Sequence, residues 1–264
     1  MGILNVTPDS FSDGGRFLKP SQAISRALRM EKEGADLIDI GGESTRPGAR
    51  PVPAKEELRR VLPVIEKLAP RLHIPISIDT SKAVVAQAAL SAGACLVNDV
   101  SALRDPRMGE VVARFRAPLI LMHMRGTPRT MQKNPFYRRL VPEIIAQLRC
   151  SIARAHAFGI PAKKILLDPG LGFGKRSWDN LRLVKGLPAL KALGFPVVVG
   201  PSRKSFIGHV LSDREGEMIP VGERLWGTAA AVVACVVYGA DVVRVHDVKP
   251  MRQVVKLADA LLRA

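Results

Sequence analysis

Short apolar runs recur along this chain, and each ends at or close to a polar residue or a glycine. The run 165–167 ends at Asp168, and the run 76–78 ends at Asp79. Runs this short, with turn residues on both sides, are typical of strands that are buried on both faces of a parallel sheet. We predict eight such strands, near residues 3–4, 37–40, 76–78, 96–97, 119–122, 165–167, 197–199 and 242–245.

Helical patterns separate these runs, so strand and helix alternate along the chain. We predict helices near 21–34 (with Ser21 as its cap), 54–68, 81–92, 106–115, 139–158, 178–193, 223–238 and 249–262. This alternation, without a linker, predicts one parallel α/β domain over residues 1–264. Eight units favour a closed (β/α)8 barrel, the TIM barrel, over an open sheet, because such a barrel takes about 250 residues. All strand C-termini would then face one mouth.

Composition and cysteine usage narrow the class of protein. No run of about 18 apolar residues is present, so we expect no membrane partner. The N-terminus has no basic segment followed by an apolar one, so we expect no secretory signal. Cys95, Cys150 and Cys235 are odd in number and lie in apolar or helical sequence. We therefore expect reduced core thiols in a cytoplasmic protein.

The net charge of +16 needs a physical explanation. It could indicate a nucleic-acid binder, but Lys and Arg are scattered over the predicted helices, and aromatic residues make up only 5% of the chain. A basic enzyme that attracts a multiply charged anion fits better, so we expect no nucleic-acid partner. The alternative is a non-catalytic basic barrel that binds RNA or acts as a scaffold, with steeply salt-dependent binding.

Three polar side chains lie at three different predicted strand ends: Asp79, Asn98 and Asp168. A single Asp at such a place often only caps a turn. Together with Lys204, however, these side chains would form a pocket for a flat heterocycle with amino and amide edges. A buried carboxylate that faces two parallel N–H groups accepts a bidentate bond and rejects analogues without them.

A second group of residues is suited to anions: Asn5, Thr45, Arg46, Arg244 and His246. Arg244 lies near the end of the predicted eighth strand, on the same face as His246. An arginine there needs a counter-charge, either a phosphate or an internal ion pair with Asp241 or Asp247. Its place at the rim favours phosphate.

Lys204 has a further interpretation, as the Schiff-base nucleophile of an aldolase. Its position on a loop beside Arg203 favours a contact to an anion or a carbonyl instead. The glycines of 170–175 lack the spacing of a dinucleotide fingerprint. The sequence also lacks a cluster of His and Cys with metal-ligand spacing.

Seven segments together resemble the dihydropteroate synthase family, in that family's order and over nearly the whole chain. They are 2–15, 41–48 (Gly-Gly-Glu-Ser-Thr-Arg-Pro-Gly), 77–80, 98–99, 168–175 (Asp-Pro-Gly-Leu-Gly-Phe-Gly-Lys), 202–205 (Ser-Arg-Lys-Ser) and 244–247 (Arg-Val-His-Asp). The resemblance implies a transferase of folate biosynthesis and a target of sulfonamides. Such an enzyme joins 6-hydroxymethyl-7,8-dihydropterin diphosphate to 4-aminobenzoate and releases pyrophosphate.

The resemblance also implies residue roles. The pterin would be held by Asp79, Asn98, Asp168, Met122, Lys204 and Gly200. The diphosphate would be held by Asn5, Thr45, Arg46, Arg244 and His246, with Mg²⁺ as cofactor and Asn5 as its ligand. The aminobenzoate subsite would comprise Phe11, Pro47, Phe173, Arg203, Lys204 and Ser205. The catalytic set would be Asp79, Lys204, Arg46, Arg244 and His246.

The mechanism that fits these residues is ionisation of the leaving group before the amine attacks. A pterin-dependent methyltransferase is the alternative enzyme, because it resembles this family in fold and in its Asp/Asn pocket. Segment 202–205, with Arg46 and Arg244, argues for a diphosphate substrate. The family resemblance implies a homodimer, and so does the helix at 223–238. This helix is so apolar that it must be buried on most sides.

Overall fold

Eight parallel strands form the centre of the protein in a computed structural model, which describes residues 1–7, 20–214 and 216–264. The strands in these residues are β1 (Gly2–Asn5), β2 (Ile38–Gly41), β3 (Ile76–Asp79), β4 (Leu96–Asp99), β5 (Leu119–Met122), β6 (Ile165–Asp168), β7 (Val198–Val199) and β8 (Val242–Val243). All eight predicted strands are confirmed to within a residue or two at their ends.

Backbone hydrogen bonds close these strands into a barrel. Strands β1 to β6 pair in chain order, and β7 pairs with β8. Leu167 N donates to Pro196 O at 2.9 Å and joins β6 to the start of β7. Ile3 N donates to Val245 O at 2.9 Å, which joins β1 to the end of β8. The predicted closed (β/α)8 barrel is therefore confirmed, and all strand C-termini face one mouth.

The helices surround the barrel, and those of the described residues are α1 (Pro20–Lys32), α2 (Ala54–Leu68), α3 (Ala83–Ser91), α4 (Pro106–Phe115), α5 (Leu140–Ala157), α6 (Ser177–Lys185), α7 (Leu187–Lys191), α8 (Ser205–Val210), α9 (Leu225–Val237) and α10 (Val248–Arg263). Among the described helices, none combines the length and the apolar character needed to cross a membrane.

Three helical predictions are wrong in detail. The single helix predicted at 178–193 is two helices, because Pro188 has no N–H to continue the ladder after Gly186. Helix α8 was not predicted. Ser21 does not cap α1, because the helix already begins at Pro20, whose fixed φ suits a first turn.

Two further predictions about burial are wrong for the single chain. Cys95 and Cys150 are exposed, and only Cys235 is a core thiol, although all three are free. Helix α9 is not buried on most sides, since Trp226 is 80% exposed. Both errors have one cause: an apolar stretch of sequence does not say which of its faces meets the barrel.

Strand alternation divides the core into an outer and an inner part. In β3, Ile76 and Ile78 pack outwards in the large cluster beneath the helices. Ser77 and Asp79 occupy the opposite face, which lines the barrel. A small apolar cluster that includes Met1, Leu96, Ile120 and Val198 fills the interior below the mouth.

Shortening a residue of the outer core should destabilise the whole barrel. Ile78→Ala removes a fully buried side chain from β3. We expect the free energy of unfolding to fall by about 2–5 kcal/mol, from lost burial and the cavity left behind. Chemical denaturation measures this. Val84→Ala, on an exposed position of α3, should change it by less than about 0.5 kcal/mol. An equal loss in both variants would contradict this assignment of the core.

Candidate active site

Strand register brings the predicted polar residues to one level of the barrel. Asn5 pairs with Gly41, Gly41 with Asp79, and Asp79 with Asn98. On the other side, Met122 pairs with Asp168. A Cβ at Gly41 would lie 3.5 Å from Asp79 Cβ and 3.7 Å from Asn5 Oδ1. The glycine therefore leaves open space between two of the predicted ligand-binding side chains.

Arg244 lies at the centre of this level and pairs with two carboxylates. Its Nε donates to Asp39 Oδ2 and its NH2 to Asp79 Oδ2, both at 2.6 Å. Asn98 Nδ2 donates to the same Asp39 oxygen at 3.0 Å. Burial opposes the charge on Arg244, but Asp39 and Asp79 together raise its pKa above the ordinary value.

The internal ion pair considered as the alternative to phosphate for Arg244 does form, but not with Asp241 or Asp247. Asp241 pairs with Lys191, and Asp247 pairs with Arg203. Neither acid lies where Arg244 points, because the alternation of β8 directs Arg244 into the barrel. Its partners come from β2 and β3, which are far away in the sequence.

Asp39 is the residue that the sequence reasoning missed. It is fully buried in β2 between two isoleucines, and a carboxylate in an otherwise apolar strand was the available signal. Among the described residues, Asp39 Oδ1 and Asn98 Oδ1 are buried acceptors without a partner. Buried acceptors are normally satisfied, so a bound molecule with N–H groups fits this place.

The loop after β6 holds the other half of the site. Asp168 Oδ1 accepts from Gly170 N at 2.7 Å. Lys204 donates to the Leu171 carbonyl, and its Nζ lies 4.0 Å from the centre of the Phe173 ring. Gly172 has a φ of +79°, and a Cβ there would lie 2.9 Å from Lys204 Cδ. Only glycine allows this approach of the loop to the lysine.

A second buried lysine supports the same loop from below. Lys175 Nζ donates to Gly170 O at 2.8 Å and to Phe173 O at 3.0 Å, and it lies 3.0 Å from His123 Nδ1. Both Lys175 and His123 are buried. Burial lowers the pKa of each side chain, that of His123 to about 2. These residues hold the loop in shape rather than face the mouth.

One wall of the mouth is apolar. Met122, predicted to pack against a ring, forms a cluster with Phe173 and with Val100, Met124 and Met131. A cavity of about 300 Å³ opens beside this wall and beside Asp79. Methionine side chains adapt to flat ligands, and acceptors around them fix the ligand's orientation.

Two of the predicted anion-binding residues, Thr45 and Arg46, lie in the loop that follows β2. Thr45, Arg46 and Pro47 belong to the loop 42–53, in which Thr45 is half-buried and the other two are exposed. Glu43 holds both ends of this loop, since it accepts from Val52 N at 3.2 Å and pairs with Lys82. The loop therefore has a fixed base and an exposed tip.

The remaining predicted residues come from the last two strand ends. Gly200 lies against the Arg244 side chain, and His246 is half-buried. Ser205 is exposed at the start of α8. The Arg203 guanidinium makes two bonds to Asp247, of 2.8 and 2.6 Å. Phe11 lies outside the described residues.

Burial shifts the pKa of three groups at the mouth. It raises the pKa of Asp79 to about 7, against the opposing effect of Arg244. It lowers the pKa of Lys204 to about 7, although Asp168 favours the charged lysine. It also lowers the pKa of His246 to about 3. Such shifts are common at sites where charges are held ready for a ligand.

Comparisons with known proteins agree with this geometry. The family model described as "Pterin binding enzyme" matches residues 1–246. The dihydropteroate synthase of Synechocystis is 51% identical over 264 residues, covering 100% of this chain and 90% of that protein. The Yersinia pestis dihydropteroate synthase, solved in a sulfonamide drug complex, is 45% identical with a TM-score of 0.94, covering 100% and 94% of the two chains. The Xanthomonas albilineans dihydropteroate synthase, solved with 4-aminobenzoic acid, is 44% identical with a TM-score of 0.91, covering 100% and 92%.

Replacing Lys204 should stabilise the free protein in a pH-dependent way. Between the folded pKa of Lys204, about 7, and the ordinary lysine pKa of 10.5, the unfolded chain binds more protons than the folded one. The free energy of unfolding of the wild type therefore rises with pH across this window. We expect Lys204→Met to be more stable than the wild type at and below pH about 7, by a margin that shrinks towards pH about 10.

Chemical denaturation across this pH range measures the margin. The baseline comes from Lys67→Met, which replaces an exposed lysine of α2. A margin for Lys204→Met that stayed constant with pH would show that burial does not act on the charge of Lys204.

Proposed function

The chain belongs to the dihydropteroate synthase family of pterin-binding enzymes, and we propose that the residues at its barrel mouth carry that family's reaction. The enzyme condenses 6-hydroxymethyl-7,8-dihydropterin diphosphate with 4-aminobenzoate to give 7,8-dihydropteroate and pyrophosphate. The observation that carries the residue assignment is that buried acceptors and cations lie at the barrel mouth beside an apolar wall. This arrangement fits a flat heterocycle that is joined to a strong anion.

The pterin lies in the inner part of the mouth. Asp168 and Asn98 face its amino and amide groups, and the Asp168 carboxylate accepts two parallel N–H bonds from the ring. The free acceptors on Asp39 and Asn98 support this assignment. Met122 packs on one face of the ring, and Lys204 donates to a ring acceptor. Gly200 lies at the opposite edge.

The diphosphate lies towards the rim, among Thr45, Arg46, Arg244 and His246. Arg244 reaches both subsites, because its guanidinium lies beside Asp79 and its strand ends at the rim. The exposed tip that carries Arg46 can approach the anion while the loop base stays fixed by Glu43. The net charge of +16 raises the local concentration of such an anion at the mouth.

Mg²⁺ is the proposed cofactor, with Asn5 as its protein ligand. Among the described residues, no group of three His, Cys, Asp or Glu side chains could hold a metal ion. Mg²⁺ needs no such group, since it commonly uses few protein oxygens together with substrate phosphates and water. Asn5 Oδ1 faces the space beside Gly41 and fits this role. When bound, the ion supplies positive charge to the diphosphate oxygens.

The aminobenzoate subsite comprises Phe173, Lys204 and Ser205 on one side and Pro47 on the other, with Phe11 outside the described residues. Phe173 offers a ring face, and Ser205 lies at the start of α8. Arg203 contributes charge rather than a direct contact, because Asp247 already holds its guanidinium. Sulfonamides would occupy this subsite.

Catalysis proceeds by ionisation of the leaving group. The C–O bond to the diphosphate breaks with its electron pair on the departing oxygen, and Arg46, Arg244 and His246 stabilise that charge. The electron-rich dihydropterin carries the positive charge left on the methylene carbon, and ionised Asp79 stabilises it. The amine of 4-aminobenzoate then attacks this carbon and loses a proton, so the reaction needs no protein nucleophile.

We also propose that residues 1–264 form one pterin-binding domain in a cytoplasmic homodimer. The three free cysteines support a reducing compartment. The exposed apolar side chains of α9 and α10 support the dimer: they are Trp226, Val233, Val237, Leu257, Leu261 and Leu262. On α9 these residues lie seven and four apart, on one face. Burying this face against a second copy would remove it from water.

Substrate titration and turnover test the function directly. We expect Mg²⁺-dependent binding of the pterin diphosphate in calorimetry, then release of one pyrophosphate per dihydropteroate after 4-aminobenzoate is added. Pterin binding without pyrophosphate release would favour a methyltransferase-like protein. Folded protein that binds no pterin would exclude both.

Two substitutions should separate the pterin from the diphosphate subsite. We expect Asp168→Ala to abolish binding of 6-hydroxymethyl-7,8-dihydropterin with or without the diphosphate. Arg46→Ala should weaken binding of only the ligand that carries the diphosphate, by about 10- to 100-fold, which is the contribution of a charged hydrogen bond. Calorimetry with both ligands measures this, and Arg71→Ala, which replaces an exposed arginine three residues after the end of α2, is the control for Arg46. Normal pterin binding by Asp168→Ala would show that the pocket is wrongly assigned.

A charge on the exposed face of α9 should separate the dimer. We expect Val233→Asp to sediment as a monomer while the wild type sediments as a dimer, because a carboxylate cannot be buried there without a partner. Trp178→Ser, which replaces an even more exposed apolar side chain on α6, should remain dimeric. A monomeric wild type at micromolar concentration, or a dimeric Val233→Asp, would contradict this interface.

A further inference from the structure

Ser202 makes two contacts to one residue, His246. It lies in the turn between β7 and α8 and is only 4% exposed. Its Oγ accepts the backbone N–H of His246 at 3.1 Å and lies 2.9 Å from the ring atom Nδ1. The catalytic role proposed for His246 leaves Ser202 without a function, although the two side chains are in direct contact.

Counting protons assigns the direction of the ring contact. A backbone N–H can only donate, so a lone pair of Ser202 Oγ receives it. The hydroxyl proton then needs an acceptor, and in the described part of the chain Nδ1 is its only one. If Nδ1 carried a proton, the buried Ser202 hydroxyl would have no acceptor for its own proton. Nδ1 is therefore the acceptor, and the proton of a neutral ring lies on Nε2.

The surroundings of His246 keep its ring neutral. Burial lowers its pKa to about 3, and the neighbouring charges of Arg244, Arg203 and Arg46 add to this effect. Asp247 is the opposing charge, but it is engaged by Arg203. A neutral ring has one donor, and which nitrogen carries it depends on the partner of the other nitrogen.

The backbone on both sides of the ring is also held. Arg26 NH2 donates to the His246 carbonyl at 2.9 Å, and Glu33 pairs with Arg26 at 3.2 Å. Arg203, next to Ser202, pairs with Asp247, next to His246. Two adjacent residues of one loop therefore hold two adjacent residues after β8, and turning the ring over would break the contact of Nδ1 with Ser202 Oγ.

We propose that Ser202 is a positioning residue that fixes His246 as the Nε2–H tautomer, so that a neutral N–H donor faces the substrate diphosphate. The assignment rests on the proposed function for the identity of that ligand, but the tautomer is a property of the free protein. His246 then offers the anion one N–H donor of fixed direction.

Nitrogen NMR of the free enzyme, labelled at its five histidines, tests the tautomer without turnover. His246→Gln identifies the His246 signals. We expect a protonated Nε2 and an unprotonated Nδ1 in the wild type and in Ser202→Thr, which keeps a hydroxyl, and a mixture of tautomers in Ser202→Ala. A protonated Nδ1 in the wild type, or an unchanged spectrum in Ser202→Ala, would overturn the proposal.

Kinetics test the consequence for the substrate. We expect Ser202→Ala to raise KM for the pterin diphosphate about tenfold, the value of a misdirected hydrogen bond, and to leave KM for 4-aminobenzoate unchanged. Ser202→Thr should restore it. Ser151→Ala, which removes an equally buried serine hydroxyl from α5, should change neither KM. Equal effects on both KM values would indicate a merely structural role and overturn the proposal.

A double-mutant cycle shows whether Ser202 acts through His246. Glutamine at position 246 offers an amide N–H without a tautomer to control. Ser202→Ala should therefore cost nothing further in His246→Gln, whereas a full tenfold effect there would overturn the proposal. A wild type that shows the expected tautomer but forms no dihydropteroate would exclude the proposed function and leave the role of Ser202 in fixing the tautomer intact.

Discussion

The buried ion network around Arg244 is the interaction on which the site depends. A guanidinium inside a barrel loses its hydration, and only close carboxylates and hydrogen bonds offset that cost. Asp39 and Asp79 supply them at 2.6 Å each, and Asn98 completes the network through Asp39. Removing Arg244 would leave two buried carboxylates without their counter-charge, at a cost of about 3–5 kcal/mol. The network therefore also fixes the positions of the side chains that meet the pterin.

The network requires a closed barrel. Arg244 directly follows β8, whereas its partners come from β2 and β3. The backbone bond between Ile3 and Val245 brings the last strand against the first. In an open sheet the first and last strands would lie at opposite edges, and the cation would have no partner. Closure of the barrel is thus what brings Arg244 to the carboxylates of the catalytic site.

The rest of the site combines rigid and exposed parts. Lys175 and His123 hold the loop after β6 from below, and that loop places Phe173 against Lys204. Burial at this position lowers the pKa of Lys204 and so reduces the stability of the folded protein. It also places the lysine in the binding site before the ligand arrives. Across the mouth, the loop 42–53 has a fixed base and an exposed tip. The tip carries Arg46, which can adapt to the incoming anion.

The eight alternating units, the polar residues at the strand ends and the resemblance to a pterin-binding family can all be read from the sequence, because periodicity and motif order are local properties. The sequence did not reveal the partners of Arg244, the exposure of Cys95 and Cys150, or the contact of Ser202 with His246. The tertiary structure decided these, because they depend on which strands become neighbours when the barrel closes. Asp39 needed both the sequence and the structure. Its charge in an apolar strand is visible in the sequence, but only the structure shows that it pairs with Arg244.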